Sequence, residues 1–145
     1  MFRSFLLLLV LGLASCQRRK LNYRDCGSTA KLLAVEIEPC DSDPCVFKRG
    51  TDTKIYFEMI SDQNSNTVTL DAKVKMFGFD MPAPGIETDL CNGVIKCPVV
   101  KGQTYKGTII FPVLAASPQM KSVVTLKVLG EHGTSVCTKT DILVQ

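Results

Sequence analysis

At 145 residues, with 17 basic against 14 acidic side chains and a formal charge of +3, the chain is long enough for one domain with a real core and not comfortably for two. That near balance excludes the strongly basic surface of a nucleic-acid binder. Seven cysteines against a single histidine point to covalent cross-links before they point to acid–base chemistry.

Residues 1–3 give a short basic start, and residues 5–13 an almost unbroken apolar run that ends at Ala14-Ser15-Cys16. This is the pattern of a secretory signal peptide. The run is about half the roughly twenty residues a membrane-spanning helix needs, and no later stretch approaches that length. Cleavage after Cys16 leaves Ala14 and Cys16 at the two positions a signal peptidase reads. It makes 1–16 the leader and 17–145 the mature domain, and it removes the odd cysteine. Leu13-Ala14-Ser15-Cys16 also fits a bacterial lipoprotein box, in which the cysteine would be kept and lipidated. Arg18-Arg19-Lys20 reads as a frayed, solvated terminus.

Six cysteines then remain, at 26, 40, 45, 91, 97 and 137. In an oxidising compartment these predict three disulfides, for which fifteen pairings are possible. Locality favours Cys40 with Cys45 around Asp41-Ser42-Asp43-Pro44, and Cys91 with Cys97 around Asn92-Gly93. Cys26 and Cys137 are left over. No CxxC spacing or neighbouring histidine supports a metal site, and the sequence implies no cofactor.

Strand periodicity runs through the rest of the chain. Residues 32–38 align Leu33, Val35 and Ile37; residues 53–60 align Ile55, Phe57 and Met59 opposite Tyr56 and Glu58. Residues 67–76 alternate most cleanly, with Val68, Leu70, Ala72, Val74 and Met76 on one face and Thr69, Asp71, Lys73 and Lys75 on the other. A short piece at 77–80 makes a further strand. Later come 105–111, which align Tyr105, Gly107, Ile109 and Phe111, then 121–129 with Val124, Leu126 and Val128, then 135–144. Turn signals separate these runs and no helical pattern appears. The fold class is all-β: an immunoglobulin-like β-sandwich of two packed antiparallel sheets, with a closed barrel as the alternative.

Catalysis has little to stand on. His132 sits at a hairpin tip, Asp71 and Glu58 lie on wet strand faces, and no GxSxG, HExxH or phosphate-binding glycine loop occurs. The chain reads as a non-enzyme. Residues 77–98 form a long apolar segment with its own cysteine pair. Such a segment is either a lid over one end of the core or the rim of an apolar cavity.

Several motifs then converge. Asp25-Cys26-Gly27-Ser28, Pro39-Cys40 to Pro44-Cys45, and Arg49-Gly50 resemble the Niemann-Pick C2 branch of the ML lipid-recognition proteins. Pro84-Gly85-Ile86, Lys96-Cys97-Pro98, 100–105 and 123–130 are similar to the group 2 mite allergens, arthropod members of that family. The likeness covers residue 25 to the end, implies the pairings 26 with 137, 40 with 45 and 91 with 97, and sets the lipoprotein reading aside.

The resemblance implies a sandwich whose sheets splay around an apolar tunnel for sterols, fatty acids or related lipids. It implies a carrier with at most transient membrane or receptor contact, working as a monomer. A recognition module for bacterial glycolipid is the alternative, and it would want a basic rim, for which only Lys96 and Lys101 offer themselves. Carried over residue by residue, Ile55 and Phe57 fall on the inner face of an early strand and Met81 and Pro82 at the mouth. Phe111 and Val113 lie across from these, and Leu126 deeper inside. Family members often carry an aromatic at Met81, a tyrosine near Ser117 and a tryptophan at Leu126. The departures leave room for a flexible acyl chain, which methionine accommodates. Vertebrate-type members reach lysosomes through N-linked glycans; with no Asn-X-Ser/Thr here, the expected location is the extracellular fluid.

Overall fold

The computed structural model describes residues 18–145, so the leader proposed for 1–16 lies outside the described residues. The strands in chain order are β1 (Arg19–Lys20), β2 (Arg24–Asp25), β3 (Lys31–Glu38), β4 (Cys45–Phe47) and β5 (Asp52–Ile60). They continue with β6 (Thr69–Met76), β7 (Phe79–Pro82), β8 (Thr104–Pro112), β9 (Met120–Gly130) and β10 (Gly133–Val144). One sheet has the order β1-β3-β5-β8; the other runs β2-β10-β9-β6-β7. Neighbours pair antiparallel, except that the short β4 lies parallel to the end of β10, where Ile142, Leu143 and Val144 oppose Cys45, Val46 and Phe47.

Period-two alternation explains which faces meet. Ile55, Phe57 and Met59 on β5, Leu70 and Ala72 on β6, Ile109 and Phe111 on β8, and Val124, Leu126 and Val128 on β9 are all buried between the sheets. Each large apolar side chain so buried contributes about 1.5–3 kcal/mol. Phe47 and Phe111 meet edge to face, ring centroids 5.4 Å apart, across the inter-sheet space. Gly107 stands opposite Phe57 in the β5–β8 ladder. A Cβ there would come within 2.7 Å of the Phe57 ring and 2.8 Å of Val94, so only glycine admits that ring.

Two expectations are corrected here. Leu33 does not face the core with Val35 and Ile37: it is 44% exposed, because the β3–β5 register shifts between Leu32 and Ala34. One irregularity of that kind reverses the alternation on its near side and turns Leu32 inward instead. Nor is the 18–20 segment frayed. Arg19 and Lys20 pair with Ile37 and Glu36 of β3, and the Arg18 guanidinium stacks 3.7 Å over the Tyr56 ring while bonding the Glu36 carboxylate.

The disulfides join Cys26 to Cys137, Cys40 to Cys45 and Cys91 to Cys97. The first spans 111 residues and ties the chain ahead of β3 to the first half of the last strand. The start of β10 is also where the polar interior gathers. Gln63 Nε2 donates to Ser135 Oγ (2.8 Å) and Gly133 O (3.2 Å), while its Oε1 accepts from His132 N (2.9 Å). Ser135 and Thr29 hydroxyls donate to the two oxygens of Asp62, at 2.7 and 2.5 Å. Burial pushes the Asp62 pKa up, but these hydrogen bonds to the ionised form outweigh it, and the carboxyl is held below its ordinary value.

Candidate functional site

The two sheets do not close equally at both ends. Strand directions put the ends of β3, β6, β8 and β10 together with the starts of β5 and β9. At that end an apolar hollow of about 280 Å³ opens to the surface. Its walls are Val74 and Met76 of β6, Met81 and Pro82 of β7, Phe111 of β8 with the 112–118 segment beyond it, Met120 of β9 and the end of β10. Among sixteen lining residues Ser117 alone has a polar side chain. Ser117 has no acidic or basic side chain beside it in this lining, and a surface of this kind suits hydrocarbon in place of water.

Deeper between the sheets lies a void of only about 30 Å³, lined by Leu32, Ile55, Phe57, Met59, Leu126 and their neighbours, room for about one or two waters. Along β6 and β9, Ala72 and Val124 occupy the inner positions between the linings of the two spaces. The linings of the hollow and the void share no residue. Three of the five methionines in the chain, Met76, Met81 and Met120, line the outer hollow, and their unbranched, rotatable side chains repack at low cost.

The seven residues expected to contact ligand divide between these spaces. Met81, Pro82, Phe111 and Val113 gather around the hollow; Ile55, Phe57 and Leu126 surround the void. Phe47, Met76 and Met120 also line the hollow and were not anticipated. Met76 ends the alternating run of 67–76 and was within reach of that pattern. Phe47 closes a strand of three residues, too short to show a period.

Loop ties hold the mouth in shape. Gly50 N donates to Val113 O (2.7 Å), Val113 N to Thr51 O (2.9 Å) and Arg49 Nη1 to Ser117 O (3.3 Å), so the Arg49-Gly50 turn fixes the 113–117 wall.

The 77–98 segment divides in a way its composition did not disclose. Only its first part, β7 and Pro84, borders the hollow. From Ala83 onward the chain follows β6 toward the far end, with Ala83 N on Ala72 O, Leu70 N on Thr88 O and Leu90 N on Val68 O. Leu90 is wholly buried there. Val94 reaches Gly107 of β8, so this stretch walls the flank of the sandwich between β6 and β8. Lys101, bonded through its backbone to Asn64, belongs to that far end, and neither it nor Lys96 lines the mouth. His132 is exposed. Among the described residues, no group of three or more His, Cys, Asp or Glu is placed to hold a metal ion, and no helix is long and apolar enough to cross a membrane.

The comparisons with known proteins agree with this architecture. A family model described as an ML domain matches residues 20–144. The mite group 2 allergen Lep d 2 of Lepidoglyphus destructor is 34% identical over 122 residues, which is 81% of this chain and 82% of the allergen. The NPC intracellular cholesterol transporter 2 homolog a of Drosophila melanogaster is 30% identical over 120 residues, 80% of this chain and 81% of that protein. Among solved structures, a Niemann-Pick type C2 protein from Japanese carpenter ant superposes with a TM-score of 0.77 at 20% identity, covering 86% of this chain and all of that one.

Proposed function

Because the chain belongs to the ML-domain family, we propose that it is a non-catalytic carrier which takes the apolar body of a sterol, fatty acid or related lipid between its two sheets. The observation that supports this best is the hollow at one end of the sandwich, lined almost wholly by apolar side chains and bordered by three methionines. No charged side chain lines the hollow, so nothing in it would anchor a charged substrate. That the Drosophila relative is named a cholesterol transporter is the reason to keep sterols beside fatty acids.

The ligand enters past Met81 and Val113, and occupation widens the hollow toward Ile55, Phe57 and Leu126 as the Ala72 and Val124 layer shifts. Each methylene transferred contributes about 0.8 kcal/mol, so a long acyl chain offers on the order of 10 kcal/mol before ordering costs. Micromolar or tighter affinity follows. We place the protein outside the cell as a monomer, matured by cleavage between Cys16 and Gln17, which N-terminal sequencing of the secreted form tests.

Displacement of a fluorescent fatty acid and of a fluorescent sterol analogue is the test. Saturable uptake of either, reversed by unlabelled lipid, is the expected result. No uptake of any lipid class at saturating concentration would mean that the hollow is only a packing defect in a filled core.

A further inference from the structure

The turn joining β6 to β7 contains a residue that local folding does not favour. Met76 and Phe79 are register partners, so the loop is the two residues Phe77 and Gly78, with φ of 51° and 82°. Two positive φ values make the kind of hairpin turn for which Asn-Gly, Asp-Gly and Gly-Gly are selected. A bulky aromatic residue in the left-handed region is a genuine outlier. Burial does not compensate, since Phe77 is 84% exposed and Phe79 70%. A side chain that serves neither its turn nor the core has a use outside the fold.

The surroundings say what that use is. Phe79 and Met81 alternate onto the same face of β7, and Met81 borders the hollow, so Phe79 extends the apolar lining outward past the rim. Leu114, on the opposite rim, is exposed as well. Behind Phe77, an open groove on the outer sheet face carries Lys75 and Lys121. Of the acids nearby, Asp141 is held by Arg24 at 3.0 and 3.1 Å, and Asp80 stands opposite Lys75 in register. Protruding aromatic rings with lysines one layer behind match the layering of a bilayer, hydrocarbon beneath anionic headgroups.

We propose that the β6–β7 hairpin is a prong that inserts Phe77 and Phe79 into an anionic bilayer surface and so brings the mouth of the hollow against the membrane. This names the surface with which the proposed carrier exchanges its cargo and rests on that reading for its purpose, although docking itself needs no bound lipid.

Co-flotation of the purified chain with vesicles of phosphatidylcholine and phosphatidylglycerol in equal parts tests it, with fatty-acid displacement in vesicle-free buffer run alongside. The parent should float. Phe77→Asn should weaken flotation about tenfold, the change expected for one ring withdrawn from an apolar surface. Its melting temperature should hold or rise, because asparagine suits that turn. Phe79→Ser should weaken flotation similarly, and Phe77→Asn, at a residue outside the lining of the hollow, should keep the parent's fatty-acid affinity. A parent that stays with the soluble fraction, or a Phe77→Asn variant that floats like the parent, overturns the prong. So does a parent dimer that Phe77→Asn dissociates without any flotation, which assigns the two rings to a second copy. Flotation without any fatty-acid or sterol uptake would instead refute the carrier and leave the prong standing.

Discussion

The two ends of this sandwich differ in what lines them. At the closed end, polar side chains are drawn inside and every one is engaged: Gln63 bonds Ser135, Gly133 and His132, and Asp62 takes hydrogen bonds from Thr29 and Ser135. Packing there is tight enough that a Cβ on Gly130 would lie 2.3 Å from Gln63 Oε1. At the open end the lining is apolar, rich in methionine and hollow, and large apolar side chains lie exposed on its rim. Directional bonds hold one end in a single geometry, whereas dispersion contacts at the other can be exchanged for contacts with a guest. On the proposed function, this difference divides stability from binding in space, and mutations should separate them.

The largest effect belongs to the long disulfide. Replacing both Cys26 and Cys137 with alanine frees a closed loop of 111 residues, which in the chain-entropy model lowers stability by about 4 to 5 kcal/mol. Denaturant melts should register that loss, while lipid affinity, measured where the variant is still folded, stays at the parent value. Gln63→Ala comes next. It removes three hydrogen bonds at once, one of them to the buried Ser135, at a cost of roughly 1–3 kcal/mol, and thermal melts should fall with no change in lipid affinity. If either variant loses lipid while folded, the two ends are coupled and the division fails.

A smaller effect concerns acid. The folded-state pKa of Asp62 lies below its ordinary value of 3.8, so the ionised form is the one folding favours. Its contribution is fully present above about 3.8 and is lost as pH falls through the lower folded value. Urea midpoints compared across that range should drop more steeply for the parent than for Asp62→Asn, which has no carboxylate to protonate. Parallel curves would mean that the Asp62 cluster contributes nothing at the closed end.

How much of this was legible depended on whether the information was local. The alternation through 67–76 specifies β6 and its inner face without help, and Ile55, Phe57 and Met59 are as plain on β5. Leu33 was misread because a bulge is set by the partner strand and leaves no mark in the period. Arg18-Arg19-Lys20 looked free because its partners, Glu36 and Tyr56, lie far along the chain. The 77–98 segment hid its division because Phe-Gly is not a turn signal, so the strand expected at 77–80 begins instead at Phe79, after a turn at 77–78, and runs to Pro82. Composition left lid and rim evenly matched, and the residues expected to contact ligand came only from the motif resemblance. The separation of the seven into hollow and void depends on how the two sheets face one another, which is visible only in three dimensions.

The central claim is that the open end takes a lipid, and Val113 tests it most directly, because it borders the hollow while its backbone stays bonded to Gly50 and Thr51. An aspartate there sets an unpaired charge where the guest's hydrocarbon would lie, yet an empty or wetted mouth can hydrate it. The measurement is fatty-acid affinity and melting temperature of Val113→Asp beside the parent. The account predicts a melt close to the parent's and an affinity at least about tenfold weaker, equivalent to roughly 1.4 kcal/mol. A variant that folds and binds lipid as the parent does would contradict it, and one that cannot fold would place Val113 in a packed core.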